Sequence, residues 1–323
     1  MLKWQKIGHI YNPFDEQYRP TWRYHYAMNP SVVVFDDYVR VYFTCREKRD
    51  ENSQTISRTA YCDLDRKCLS NIIRVSEKPV IDVGGYGCFD EFGIYPFYAL
   101  KHEDGIYGYY AGWTRCVSTP FNVSIGLSIS SDGGSTFTRM GKGPILSYSL
   151  DEPFVIGSMS VFIINNKWYM FYAAGREWTK EQSGPEVYYK LRVATSDNGI
   201  EWNKMGVDII PDKIDAREAQ GRVSIIRKND KYHMLFCYRN HIDFRSNPQN
   251  SYKIGYAVSS DLINWERNDA LVGIDASSDQ DAFDKSMVCY PHMFELDDKV
   301  YLLYNGDEFG KYGFGLAQLV EIK

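Results

Sequence analysis

The chain has 323 residues, 44% hydrophobic and 15% aromatic, with 42 acidic against 37 basic side chains and a net charge of −5. That balance excludes a disordered chain and offers no positive excess for a nucleic-acid backbone. The longest apolar runs, residues 32–35 and 161–164, are strand-sized, far short of the ~18 residues of a membrane helix.

Residues 1–8 hold no apolar leader core and no small-residue cleavage site, so no signal peptide is expected. The cysteines (Cys45, Cys62, Cys68, Cys88, Cys116, Cys237 and Cys289) are odd in number, irregular in spacing and without a Cys-x-x-Cys pair. This argues for free thiols in a reducing, cytoplasmic compartment and against a disulfide framework or a zinc site. No metal or cofactor is expected.

In chain order the elements read as strands. A first strand spans residues 3–10. There follow five apolar strands, 30–35, 96–100, 160–164, 223–226 and 291–296. Each runs through a polar hairpin tip (Asp36-Asp37, His102-Glu103-Asp104-Gly105, Asn165-Asn166, Asn229-Asp230, Asp297-Asp298) into a strand rich in tyrosine and phenylalanine, 39–46, 106–113, 168–175, 232–239 and 300–306. An alternating strand comes next, at 57–62, 124–129, 190–195, 253–258 and 312–317. Three copies end in a Ser-Asp turn at Asp132, Asp197 and Asp261, spaced 65 and 64 residues apart. Repetition of a strand–hairpin–strand–loop–strand–turn unit with a period of roughly 60–68 residues predicts an all-β, five-bladed β-propeller of four-stranded antiparallel blades, one domain over residues 1–323. Residues 3–10 are expected to complete blade five and close the ring. An open series of sandwiches is the structural alternative.

The five repeats, the Ala27-Met28-Asn29-Pro30-Ser31 segment and the Ser-Asp-Gly turns resemble the five-bladed propeller superfamily of glycoside hydrolases, which includes families 32, 43, 68 and 130. The resemblance covers essentially the whole chain and implies a sugar-binding axial funnel. The Ser130–Phe137 copy also looks like the Asp-box turn of sialidases, a peripheral turn without chemistry. The resemblance further implies, in family 43, a general-base Asp where this chain has Asn29, and a general-acid Glu in blade three, where it has Ile156-Gly157-Ser158-Met159-Ser160. In family 130 it implies an acid in blade two, the place of Asp90 and Glu91.

Aligned on their second strands, the blades bring residues ahead of each inner strand to the funnel mouth: His25 and Asn29; Asp90, Glu91 and Tyr95; Ser158, with Asp151-Glu152 further back; Glu218 and Arg222; Asp284 and Tyr290. The ends of the second strands add Arg46, Trp113, Trp178, Arg239, His241 and Asp307. Glycoside cleavage needs two carboxyl groups about 5–10 Å apart, and the catalytic candidates are Asp90, Glu91, Glu218 and Asp284. Arg46, Arg222 and Arg239 offer guanidinium forks for an anionic sugar or sugar phosphate. Tyr95, Trp113, Trp178 and Tyr290 offer rings, and His25, Asn29, His241 and Asp307 complete the substrate-binding set. The expected function is glycosidic-bond cleavage. Phosphorolysis or glycosyl transfer, a non-catalytic carbohydrate-binding propeller and a protein-interaction propeller are the alternatives.

Overall fold

Each repeat folds into one twisted antiparallel sheet, because its strands alternate side chains toward the two neighbouring blades. The computed structural model describes residues 1–16, 19–51, 54–103, 105–182 and 184–322; Asp104, in the second hairpin tip, lies outside them. After strand β1 (Leu2–Tyr11), blade one comprises β2 (His25–Val34), β3 (Tyr38–Arg46), β4 (Ser57–Asp65) and β5 (Ile72–Val75). Blade two comprises β6 (Ile94–His102), β7 (Gly105–Arg115), β8 (Phe121–Ser130) and β9 (Thr138–Arg139), and blade three β10 (Ile156–Ile164), β11 (Lys167–Glu181), β12 (Gly184–Ser196) and β13 (Asn203–Asp208). Blade four comprises β14 (Ala219–Lys228), β15 (Lys231–Arg239), β16 (Lys253–Ser259) and β17 (Glu266–Arg267). Blade five comprises β18 (Cys289–Leu296), β19 (Lys299–Asn305) and β20 (Phe314–Ile322), and β1 pairs with β20 as its fourth strand. The ring is therefore closed by the N-terminal strand, as the sequence predicts. Among the described residues no helix is long and apolar enough to cross a membrane.

The core lies between blades and is built mainly from the second and third strands. Tyr42, Tyr109, Tyr110, Phe171, Tyr172, Phe236 and Tyr304 are wholly or almost wholly buried there. Burying such rings contributes about 1.5–3 kcal/mol each, which is why aromatic residues concentrate on these strands.

The inner strands begin earlier than their hydrophobic patterns suggest. Each carries a break in register near its start: between Met28 and Ser31, Ile94 and Phe97, Gly157 and Ser160, Gly221 and Val223, and Cys289 and His292. Four of the bulges hold a left-handed non-glycine residue, Asn29, Ser158, Arg222 or Tyr290, and the fifth holds the cis Tyr95-Pro96 bond. The extra residue interrupts the period-two alternation, so the sequence pattern resumes only beyond it, and it turns one side chain per blade out of the regular alternation near the axis.

Candidate active site

The bulge residues meet at the propeller axis. The Tyr95 hydroxyl donates to the Tyr290 hydroxyl at 3.0 Å. These residues belong to blades two and five, which are not neighbours, so the bond crosses the centre. Likewise Arg222 of blade four donates through Nη2 to the Pro30 carbonyl of blade one, and its guanidinium lies 5.5 Å from the Tyr98 ring of blade two. Tyr189 and Tyr252 bond through their hydroxyls, and the Tyr252 ring stands 5.4 Å from Tyr290. The result is a floor of phenols, with Tyr252 and Tyr290 buried and Tyr95 and Tyr189 half-buried. Burial raises the pKa of Tyr95, Tyr252 and Tyr290, and of Cys237 beneath them to about 12.

The four acidic candidates are not gathered over this floor. The Asp90 carboxylate accepts from Arg139 Nε (2.8 Å) and Nη2 (2.6 Å), and Arg139 lies on the outermost strand of its own blade. Glu218 pairs with Arg267 of β17 at 2.6 Å and accepts from the Lys213 and Ile214 amides and from Gln220. Asp284 pairs with Lys6 of β1 at 2.6 Å and accepts from the Tyr304 hydroxyl at 3.1 Å. Glu152 follows the same scheme in blade three, with Tyr172 (2.7 Å), Arg192 (2.9 Å) and Lys204 (2.5 Å). Asp90, Glu152, Glu218 and Asp284 each stand twenty residues ahead of a second-strand tyrosine: Tyr110, Tyr172, Tyr238 and Tyr304. The motif is a clasp that ties the entry of an inner strand to a base on an outer strand. A buried carboxylate needs such a partner to offset its desolvation. The spacing of twenty is present in the sequence, unread there, and marks these acids as a repeated feature of the blades. Glu91 differs. It is half-buried, accepts from the Gly87 amide at 2.9 Å, and forms no ion pair among the described residues. Its neighbours Phe92 and Gly93 exchange main-chain hydrogen bonds with Trp113 at the end of β7.

The arginines divide in two. Arg222 and Arg239 are buried, and neither meets a carboxylate among the described residues. Arg239 donates to the Asn240, His241 and Val187 carbonyls and stacks 3.5 Å from the Phe244 ring centre. Burial brings Arg222 down to about 10. Arg239 therefore braces main-chain carbonyls and a ring beneath the funnel, whereas Arg222 bonds the Pro30 carbonyl through Nη2 and keeps Nε and Nη1 buried without a partner. Arg46 is half-buried at the rim, 4.9 Å from the Tyr26 ring centre.

The remaining candidates lie around the mouth. His25, at the start of β2, pairs with Arg46 across the strands. The Asn29 amide N–H donates to Asn305 at 2.8 Å. Trp178 packs edge-on against Phe121 at 5.4 Å, between blades two and three. His241 stands 3.8 Å from Glu181. Asp307 accepts from the Ser286 and Met287 amides at 2.8 and 3.0 Å, yet burial pushes its carboxyl pKa up. It lines a cleft of about 590 Å³ beside the axis, with Phe244, Arg245, Lys285, Phe309 and Tyr312.

The hairpin of β11 and β12, whose strands of 15 and 13 residues are the longest described, reaches past the blade and forms one wall. It carries Glu186, which pairs with Arg245 while burial holds its carboxyl above the usual range. Sequence reading ended the second strand at residue 175 and began the third at 190, and so missed Glu186, Tyr189 and the contact with Tyr252.

No family profile matches the chain. Two curated proteins of Mycobacterium tuberculosis, the uncharacterized proteins MT1551 and Rv1502, are each 28% identical over 319 residues, 98% of this chain and 99% of theirs. Among solved structures, a glycoside hydrolase superposes with a TM-score of 0.74 at 17% identity, over 99% of this chain and 93% of that one. The β-1,2-mannobiose phosphorylase of Listeria innocua gives 0.69 at 13% identity, over 99% and 97%. A thermostable family-43 glycoside hydrolase gives 0.62 at 14% identity, over 94% and 93%. The fold is that of the five-bladed β-propeller glycoside hydrolases. The phenolic floor at the axis of this scaffold is the candidate active site, and Glu91, Trp113, His25 and Arg46 are its candidate residues.

Proposed function

We propose that the chain is a carbohydrate-active enzyme that cleaves a glycosidic bond at the funnel mouth, on an anionic sugar. The observation that carries this reading is the contrast among the four acids placed before inner strands. Asp90, Glu218 and Asp284 are closed in blade clasps, whereas Glu91 forms no ion pair among the described residues and precedes the Phe92-Gly93 segment bonded to Trp113. Glu91 is assigned as the proton donor to the leaving oxygen, and Trp113 as a ring against the sugar face. Glu186, whose burial favours the protonated carboxyl, is the second acid of the mouth. Asp90, Glu218 and Asp284 are assigned to holding the blades.

Transfer to phosphate or to another sugar is the second reading. It is favoured by the cationic rim at Arg46, because an external nucleophile removes the need for a second carboxylate close to Glu91. Seven free cysteines support a reducing, cytoplasmic setting.

The test is a screen over aryl glycosides and oligosaccharides, with and without inorganic phosphate, followed by Glu91→Gln on the best substrate. Turnover should fall by about 10²–10⁴-fold with binding retained. Full turnover in that variant overturns the assignment, and acceleration by phosphate selects the second reading.

A further inference from the structure

Blade one contributes a feature that the clasps and the phenolic floor do not use. The ring of His25 is framed by Tyr24, Tyr26 and Phe14, at 4.6, 6.4 and 6.5 Å between ring centres. Each part of that frame, and Tyr312 beside it, carries a cation. Arg19 lies 4.8 Å from the Phe14 centre and 4.5 Å from that of Tyr24, and Lys48 lies 5.6 Å from Tyr24. Arg46 covers Tyr26 at 4.9 Å, and Lys311 covers Tyr312, itself 5.7 Å from Phe14.

Of the nearby acids, Glu16 pairs with Arg23 and Glu47 with Arg58, whereas Glu308 pairs with Lys311 of the rim itself and Asp15 accepts from Asn12. Neither Arg19 nor Arg46 meets a carboxylate among the described residues, and Arg46 Nε is buried without a partner. Burial first, then the charges of Arg19, Arg49, Lys311 and Arg46, press the His25 pKa down, so the imidazole is neutral and lies in a positive field. Cations lie over rings elsewhere in the molecule too, as Arg40 and Arg239 do, but here four of them gather around one histidine.

We propose that this rim is a phosphoryl-binding subsite: Arg19 and Arg46, with His25 between them, hold the phosphoryl group of a sugar phosphate, while the sugar ring extends toward the funnel floor. A dianion suits the site better than a carboxylate, because both guanidinium groups act on His25 and a monoanion neutralises only one. His25 supplies a neutral imidazole donor, and the aromatic faces keep the arginine side chains extended without an acid. The inference rests on the reading of the funnel as a sugar site and names where the substrate's charge is held.

Calorimetric titration of the whole protein at low ionic strength, with inorganic phosphate and with a hexose 1-phosphate, tests it. Both ligands should bind. Arg19→Gln and Arg46→Gln should each weaken both by about tenfold, with the melting temperature measured alongside, and Arg19→Lys should recover part of the loss. Tighter binding of the hexose phosphate than of phosphate assigns the anion to the sugar. Equal binding overturns that assignment and makes the rim a site for free phosphate. No heat at millimolar ligand, or unchanged affinity in folded Arg19→Gln and Arg46→Gln proteins, overturns the subsite. Glu91→Gln turnover is independent of these outcomes, so failure of the rim and failure of the funnel reading are told apart.

Discussion

At the scale of single residues, a carboxylate near an axis serves either chemistry or cohesion, and its partners decide which. Asp90 is nearly fully buried and held by two nitrogens of Arg139. Asp90→Asn leaves a guanidinium short of its counter-charge and should cost about 3–5 kcal/mol, read as a lower midpoint in urea. Glu152 gives the corresponding pH dependence. Burial opposes ionisation, but Lys204, Tyr172 and Arg192 prevail and hold the carboxyl below its ordinary 4.5. A depressed carboxyl adds stability above the unfolded value, and that stability is lost as pH falls through the folded one. Wild-type protein should therefore lose melting temperature between about pH 5 and pH 3 more steeply than Glu152→Gln, as followed by circular dichroism. The types of these residues were legible in the sequence and their roles were not. Whether an acid faces the funnel or its own blade depends on a base some fifty residues further on, or, for Asp284, on Lys6.

At the scale of elements, the Ser-Asp turns show local sequence and structure in agreement. Asp132 accepts from Ser130 Oγ (2.7 Å), the Ser135 and Thr136 amides (3.0 Å each) and Thr136 Oγ1 (2.6 Å), and these bonds outweigh burial to hold its pKa at about 2. Asp261 repeats the turn with Ile263 and Asn264, and Asn198 takes the same part in blade three. Asp132→Ala and Asp261→Ala should each cost about 1 kcal/mol, as loss of a comparable cap does, with no change in turnover; differential scanning calorimetry together with an activity assay checks both. Asn198 in the role expected of Asp197 is a one-residue difference that the motif alone did not resolve. Less legible were the inner-strand bulges. A left-handed residue in mid-strand leaves no mark in hydropathy, and Arg222 and Tyr290 are not residues that announce a positive φ.

At the scale of the whole molecule, closure depends on β1. It supplies the fourth strand of blade five, and through Lys6 the base of the fifth blade's clasp. Trp4 also donates to the Val272 carbonyl at 3.0 Å. Removing residues 1–11 exposes the edge of β20 and leaves Asp284 buried without its cation. The truncated chain should lose its single cooperative unfolding transition and be cleaved rapidly by trypsin; a truncated protein that melts like the full chain would show that ring closure is not needed.

The sequence by itself determined the blade number, the strand order, closure by the N-terminal strand and the placing of aromatic residues on second strands. All of these follow from short-range periodicity and from a repeat that each blade must satisfy in order to bury its faces. Only the tertiary structure decided which charged groups remain open at the mouth. Asp90, Glu218, Asp284, Arg222 and Arg239 read alike with Glu91 and Arg46 in one dimension. They separate because burial obliges each charge to find a partner among the residues that the ring brings beside it. For the first five those partners are bases, carbonyls and rings within the propeller, though Arg222 keeps two nitrogens unpartnered, and among the described residues no opposite charge pairs with Glu91 or Arg46.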